Sequence, residues 1–306
     1  MKIQAKILAD SISERGDRIT TYLLTFPRII LAEFNTHRSF SRNSASSRAI
    51  PFKKMVESVE KNPFIPIAWQ KDHKGMQGTE YLTEQHHINY VRALWLSAAE
   101  EAIQSAKCLH SESAKVITKQ ICNRLLEPFM WHTVICTATD YDNFFKLRDH
   151  EAAEIHIQEL AKKMKEAMNE STPKVLGIGE WHIPFANIIS HGILEDEVIF
   201  KDPYWKKVWI KPNEVNPEYE EYVNGLNLKI ATAKCARVSY TTVGSEYKTE
   251  YRADIELYNK LLESGHMSPF EHCAQVMSET DYYERPWSRN FKGFKQYREI
   301  VETTPH

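Results

Sequence analysis

Residues Phe34 to Pro51 read FNTHRSFSRNSASSRAIP and concentrate basic and hydroxyl side chains in one short segment. Between Thr36 and Arg48 lie three arginines, one histidine, one asparagine and five serines, with no acidic residue among them. Guanidinium groups, hydroxyls and backbone amides at a helix end suit phosphate oxygens, so the segment could form an anion pocket. Taken alone, such a stretch is more typical of a solvated Ser/Arg loop, and a nucleic-acid patch is a further alternative. Because helical and strand patterns flank it on both sides, a disordered tail is disfavoured.

Composition limits the class of protein. The chain has 306 residues, enough for one large domain or two ordinary ones. Its hydrophobic content is 42%, with 11% aromatic residues and only 10 glycines, which is typical of a globular protein. The formal net charge of -2 disfavours general binding to polyanions. Phosphate binding must therefore come from local clusters of arginine.

Cysteine usage and hydropathy indicate the compartment. The cysteines are scattered and form no CxxC pair, which predicts reduced thiols; they are Cys108, Cys122, Cys136, Cys235 and Cys273. The opening MKIQAKILAD lacks the apolar run of a signal peptide, and no segment approaches the ~18 apolar residues of a membrane span. We therefore expect a soluble, cytoplasmic protein without a membrane partner.

Periodicity predicts an α+β fold. The segments KIQAKIL and RITTYLLTF flank the turn-like SERGD and predict a hairpin. Helices are predicted from Pro27, over 53–61, over 79–127 with a break near HSES, from Asp140 to 171, over 228–239 and over 252–264. A strand is expected near HCAQVMSE. Residues 171–227 hold many prolines and several tryptophans, and we expect them to form an irregular insertion.

Three further blocks carry polar groups in suggestive positions: CNRLLEP at 122–128, NFFKLRDH at 143–150 and SGHMSPFEH at 264–272. Taken singly, Arg124 and Arg148 are typical of surface cations on helices, and the last block is typical of a turn that satisfies its own polar groups. In 143–150, Phe144, Phe145 and Leu147 are expected to face the core. No Cys/His pair has zinc-ligand spacing, and the chain contains no P-loop and no GxGxxG, so we expect no metal.

Together the blocks resemble the flavin-dependent thymidylate synthase (ThyX) family. The family signature has the form RHRxxSxNExSxRY, and the opening segment matches it at His37, Arg38, Ser41, Asn43, Ser46 and Arg48. NRLLEP is similar to the family's AR-x-x-LP helix, and NFFKLRDHEAAEIHIQELA to its NFLxLR…AQxEI helix. CARVSY and GHMSPFEH resemble its AARVSY and GHxSPFEH elements. The departures are Thr36, Ser44, Ala49 and Ala152, where the family usually has arginine, glutamate, tyrosine and histidine, and TATDYD lacks the family's NAR element.

The order of the blocks differs from that of the family. AARVSY and GHxSPFEH precede the arginine signature there, whereas here they follow it. The resemblance therefore implies a single ThyX-like domain over 1–306, with a mixed sheet, long helices and blocks in circularly permuted order. Residues 171–227 would bridge the two permuted halves, which chain termini lying close together would allow.

The resemblance implies reductive C5 methylation of dUMP to dTMP, with carbon from methylenetetrahydrofolate and reducing equivalents from NADPH through FAD. Arg148 and Ser46 would be catalytic, with Arg148 polarising the uracil ring. The nucleotide would be held by Arg124, Ser44, Ser46, Arg48 and Arg148. Flavin or folate would be contacted by His37, Arg38, Ser41, Asn43, Asn143, Ser239, His266, Ser268 and Glu271. The family's sites are shared within a homotetramer, so the resemblance implies that assembly as well.

Two alternatives remain open at the level of sequence. A related enzyme could transfer one carbon to C5 of a pyrimidine nucleotide and finish differently, for example as a hydroxymethylase. A catalytically inactive homologue could bind the nucleotide without turnover. A protein that binds nucleic acid through the Ser/Arg segment fits the near-neutral charge poorly, and we expect no such partner.

Overall fold

A β-hairpin begins the chain, as predicted from its alternating pattern. The computed structural model describes residues 1–75, 78–112, 117–185, 217–242 and 251–304. Strands β1 (Gln4–Ser13) and β2 (Arg18–Pro27) pair antiparallel. Gly16 lies in the turn between them with φ of 91°, a backbone conformation that glycine adopts without steric cost.

This hairpin is the centre of a five-stranded mixed sheet with the order β3-β4-β2-β1-β5. The added strands are β3 (Ser41–Ser44), β4 (Trp131–Ala138) and β5 (Lys174–Leu176). Only β5 runs parallel to its neighbour, whereas β3 and β4 pair antiparallel. All eight residues of β4 are buried, because this strand is paired on both sides and covered on both faces. The α+β prediction is confirmed, and β3 is an edge strand.

Helices occupy most of the predicted segments. They are α1 (Leu31–Phe34), α2 (Phe52–Lys61), α3 (Gln85–Glu112), α4 (Lys119–Arg124), α5 (Asp142–Arg148), α6 (Ile155–Glu170), α7 (Pro217–Arg237), α8 (Tyr251–Glu263), α9 (Glu279–Glu284) and α10 (Tyr297–Thr303). The region predicted as helical from Asp140 to 171 is two helices. The Glu154 carboxylate accepts from the amides of His156 and Ile157, and this cap starts α6. No described helix is both long enough and apolar enough to cross a membrane.

The segment 171–227 is described only at its two ends, since 186–216 lies outside the described residues. Its first part contributes β5 to the main sheet and β6 (Trp181–His182) to a second one. That second sheet has the order β10-β7-β6 and includes β7 (Ala274–Val276) and β10 (Phe294–Gln296). A separate pair is formed by β8 (Trp287–Ser288) and β9 (Phe291–Lys292). The bridging role of 171–227 and the permuted order stay predictions.

The main sheet is covered on both faces. On one face, Tyr22 and Leu24 of β2 pack in a core with Leu160 and Met164 of α6. On the other, Leu23 packs with the last turn of α7 and the residues that follow it, which belong to the CARVSY block. The edge strand β3 therefore lies between the layer that carries NFFKLRDH and the layer that carries CARVSY.

Candidate functional site

The segment around β3 contacts all four of the other sequence blocks. Hydrogen bonds connect residues 37–50 with α5, with α4, with the 3-10 helix Val238–Tyr240 and with the 3-10 helix Ser268–His272. The blocks lie as much as 225 residues apart in sequence, the distance from Asn43 to Ser268, so only the tertiary structure brings them together. The structure thus assembles the sequence motifs at the open edge of the sheet.

The contact with α5 centres on Arg148. Its Nε donates to Nε2 of His37 at 3.0 Å, and its Nη1 donates to the carboxylate of Glu33. Burial, together with the positive charges of Arg148 and Arg42, lowers the pKa of His37 to about 4, so the ring is neutral and can accept. Arg148 is half-buried and held in a fixed orientation by these two partners.

The contact with α4 lies at the other end of the segment. Asn123 Nδ2 donates to the carbonyl oxygens of Ser47 at 2.8 Å and Ile50 at 3.1 Å. Arg48 follows Ser47, and Arg124 follows Asn123 as the last residue of α4; both arginines are exposed. The hydrogen bonds of Asn123 therefore connect the two chain segments that carry Arg48 and Arg124, whose guanidinium groups are both exposed to solvent.

The third and fourth contacts involve the C-terminal blocks. The amide of Ser46 donates to the carbonyl of Ser239 at 3.2 Å. The side-chain amide of Asn43, oriented by its partners, donates to the carbonyl of Ser268 at 3.2 Å. Glu271 in the same 3-10 helix is ion-paired with Arg298 at 2.7 Å. The bonds of Ser46 and Asn43 hold the CARVSY and GHMSPFEH blocks against the segment around β3, and the Glu271 ion pair joins the second block to α10.

The predicted site residues differ widely in exposure. Exposed side chains belong to Arg38, Arg48, Arg124, Asn143 and His266. Half-buried ones belong to Ser44, Ser46, Arg148, Ser239, Ser268 and Glu271. Three are buried, namely His37, Ser41 and Asn43. Ser41 accepts from the side-chain amide of Gln296 at 3.2 Å, so its hydroxyl has a protein partner, as Asn43 does.

Two residues, Arg42 and Leu147, are placed differently from what the sequence predicts. Arg42, grouped with Arg38 and Arg48 as a phosphate donor, instead donates to the carbonyls of Asn35 at 3.3 Å and His37 at 2.9 Å. Burial lowers its pKa. This expectation was wrong because the guanidinium group of Arg42 folds back onto the preceding backbone, whose carbonyl oxygens take its hydrogen bonds. Leu147 was expected in the core but is 51% exposed.

Acidic groups reach the segment from elsewhere in the fold. Glu33 pairs with Arg148, and Glu127 accepts from the hydroxyl of Ser47 and from Arg28 Nη2 at 3.3 Å. The segment itself contains no acidic residue, but these two carboxylates neutralise part of the positive charge around it. No local sequence pattern signals either carboxylate, since both partners come from other elements.

One further group has ligand atoms close enough to share a cation. Glu84, His86 and His87 lie at the start of α3, and both imidazoles lie 3.5 Å from the same carboxylate oxygen. All three side chains are exposed, and none belongs to the five blocks.

No family model matches the sequence, and no curated protein matches it. Distant structural similarity extends over about half of the chain. The UMP/dUMP methylase PolB from Streptomyces cacaoi with 5-Br UMP superposes with a TM-score of 0.45 at 15% identity, covering 55% of this chain and 89% of that chain. The same protein with 5-Br dUMP superposes with a TM-score of 0.41 at 17% identity, covering 50% of this chain and 66% of that chain. ThyX from Helicobacter pylori with FAD and dUMP superposes with a TM-score of 0.34 at 16% identity, covering 49% of this chain and 67% of that chain.

Proposed function

We propose that this protein transfers a one-carbon unit to C5 of a pyrimidine nucleotide, with dUMP converted to dTMP in the manner of a flavin-dependent thymidylate synthase. The observation that carries the proposal is the convergence of four separate motif blocks on the fifth, the segment around β3. Unrelated surface residues would have no reason to meet there. The homotetramer and the permuted topology belong to the same proposal.

The nucleotide phosphate would be held by Arg48 and Arg124. Both guanidinium groups are exposed, and the bonds of Asn123 tie the chain segments that carry them. Charge-assisted hydrogen bonds from arginine to phosphate are among the strongest polar contacts that a protein makes. The half-buried hydroxyls of Ser44 and Ser46 lie in the same segment and would add weaker contacts to the nucleotide.

Arg148 would act on the base. Its guanidinium group is already oriented, because Nε donates a hydrogen bond to His37 and one terminal nitrogen donates to Glu33. A fixed guanidinium stabilises the negative charge that develops on a pyrimidine carbonyl during attack from C5, without reorganisation at that moment. The neutral His37 is suited to this role, because a protonated ring could not accept from Arg148.

The residues present fit a flavin in part. Arg38, Asn143 and His266 are exposed donors that would hold FAD, with Ser239, Ser268 and Glu271 beside them. His37, Ser41 and Asn43 are buried and bonded to protein groups, so they would support the site from behind. When bound, FAD would relay hydride from NADPH, and methylenetetrahydrofolate would supply the carbon. The chain itself would supply binding and orientation.

The proposal is tested by tritium release from C5-labelled dUMP with FAD, NADPH and methylenetetrahydrofolate. We expect a yellow protein whose flavin absorbance bleaches with NADPH and changes on addition of dUMP. A colourless protein that cannot be reconstituted with FAD and releases no tritium would overturn it. Release of tritium with a hydroxymethylated product would instead support the hydroxymethylase-type enzyme.

An inactive nucleotide-binding homologue is the second candidate. It is favoured by Thr36, whose hydroxyl donates to the carbonyl of Glu33 at 2.7 Å where the family's signature has a cationic side chain. Such a protein would bind dUMP in a calorimeter with no flavin and no tritium release.

Arg48→Ala and Arg124→Ala are each expected to raise the dissociation constant of dUMP about tenfold, since each removes one charge-assisted contact. Lys53→Ala is the matched control, because it removes an exposed cation from the next helix and should leave binding unchanged. Titration calorimetry at two salt concentrations measures the effect. Equal affinity in wild type and either arginine variant would remove that residue from the phosphate site.

A further inference from the structure

One face of the main sheet carries a row of polar side chains where apolar ones are expected. Thr21 of β2 pairs directly with Thr137 of β4, and Thr137 pairs with Ser41 of β3. Residues two apart on a strand share a face, so Asn43 belongs to the same row. At the other end, Ser11 follows Ala9, the direct partner of Thr21, by two positions. The row thus crosses four strands.

Two histidines join this row into a continuous chain of hydrogen bonds. Ser11 Oγ lies 2.9 Å from His182 Nδ1, and Thr21 Oγ1 lies 2.8 Å from His182 Nε2. Thr21 and Thr137 share a bond of 2.7 Å, and Thr137 Oγ1 lies 2.9 Å from His272 Nδ1. Both histidines and both threonines are completely buried. The chain connects β6 with the GHMSPFEH block.

The direction of these bonds is fixed at the end near the site. The amide orientation of Asn43 is assigned from its neighbours: with the nitrogen toward the carbonyls of Ser268 at 3.2 Å and Arg42 at 3.1 Å, both carbonyls receive a donor, and this nitrogen then lies 3.3 Å from His272 Nε2. A proton on His272 Nε2 would lie against the amide hydrogens of Asn43, with one donor facing another. His272 therefore carries its proton on Nδ1 and donates to Thr137.

The remaining bonds follow in one direction. Thr137 accepts from His272 and donates its own hydrogen to Thr21, which in turn donates to Nε2 of His182. His182 then carries its proton on Nδ1 and donates to Ser11. Protonation of either ring would place two donors face to face. Burial lowers the pKa of both histidines to about 3, so the chain keeps this arrangement at neutral pH.

We propose that this chain positions the 3-10 helix Ser268–His272 against the edge strand, and that Thr21 and His182 are positioning residues for the cofactor side of the site. His182 lies outside every motif block, and its ring is separated from the site by two threonines and a second histidine. The cofactor assignment rests on the proposed function, whereas the chain itself rests on the geometry. The nucleotide-side residues Arg48 and Arg124 are not connected to it by any of these bonds.

Long-range proton–nitrogen NMR correlations test the chain without any ligand. Both rings are expected to be neutral with the proton on Nδ1. Thr21→Val keeps the shape of the side chain but removes its hydroxyl, so His182 should lose its single tautomer and the ring signals of His272 should shift. Thr21→Ser keeps the hydroxyl and should restore the wild-type signals. A proton on Nε2 of either ring in the wild type, or His272 signals unmoved by Thr21→Val, would overturn the chain.

Binding measurements test the positioning role. Thr21→Val is expected to weaken FAD binding about fivefold to tenfold, the equivalent of one hydrogen bond, while the dissociation constant of dUMP stays within about twofold. Thr21→Ser should behave as wild type in both. A parallel loss for both ligands would indicate general destabilisation and overturn the role. If the wild type binds dUMP but not FAD, the proposed function and the cofactor-side role both fail, and the NMR result still decides whether the chain exists.

Discussion

The protein is expected to unfold cooperatively on acidification from about pH 6.5 to about pH 4, with uptake of roughly four protons. Four buried histidines cause this, namely His37, His132, His182 and His272. Burial lowers the pKa of His37 to about 4 and the pKa of each of the other three to about 3, because a charged imidazole loses its hydration in the interior.

The direction of the effect follows from the proton balance. Above about pH 6.5 these rings are neutral in the folded and unfolded chain alike, so they do not change stability. Below that pH the unfolded chain binds protons that the folded one does not, and this favours unfolding until pH falls to the folded pKa values. Each histidine removes about 1.4 kcal/mol per pH unit in that window. Together the four remove about 11 kcal/mol at about 2 pH units below the start, which is comparable with the 5–15 kcal/mol that typically stabilises a domain.

Urea unfolding at a series of pH values measures the slope of the free energy of unfolding. His182→Gln removes one of the four groups and should reduce that slope by about one proton between roughly pH 6 and pH 5. His73→Gln is the control, since it changes an exposed histidine and should leave the profile as in the wild type. A free energy of unfolding that does not vary over this range would contradict the prediction.

Arg148→Ala is expected to lower the rate of tritium release about a hundredfold or more, while the dissociation constant of dUMP rises less than about tenfold. The guanidinium is held by His37 and Glu33, so its contribution is a fixed charge that matters most as negative charge develops on the base. Loss of such a group lowers turnover more than ground-state affinity. Arg148→Lys keeps the charge but not the fork that bonds to both partners, and should restore little activity.

The control for this prediction lies on the same helix. Lys146 is exposed, and Lys146→Ala should leave tritium release and binding unchanged. Removal of Arg148 leaves Glu33 without its ion pair, so circular dichroism should establish that both variants fold. Activity of a folded Arg148→Ala at the wild-type level would exclude the assigned role.

Local sequence was sufficient for the elements with strong periodicity. The hairpin of β1 and β2, the helices α2 and α8, and the strand at Ala274–Val276 lie where the patterns predicted them. Each of these elements is specified by the spacing of its own apolar side chains, which neighbouring residues alone determine. The break between α5 and α6 was missed, because the Glu154 side chain that caps α6 does not interrupt the helical pattern.

The residue types for a candidate anion site can be read from the chain, because arginines, serines and an asparagine lie close together between Thr36 and Arg48. Which of them face solvent depends on the tertiary structure. Pairing of Ser41–Ser44 with β4 turns Ser41 and Asn43 inward and leaves Arg48 exposed. It also brought Glu33 to Arg148 and His182 to Thr21. Strand pairing and burial depend on contacts between residues far apart in sequence, and no local pattern records those contacts.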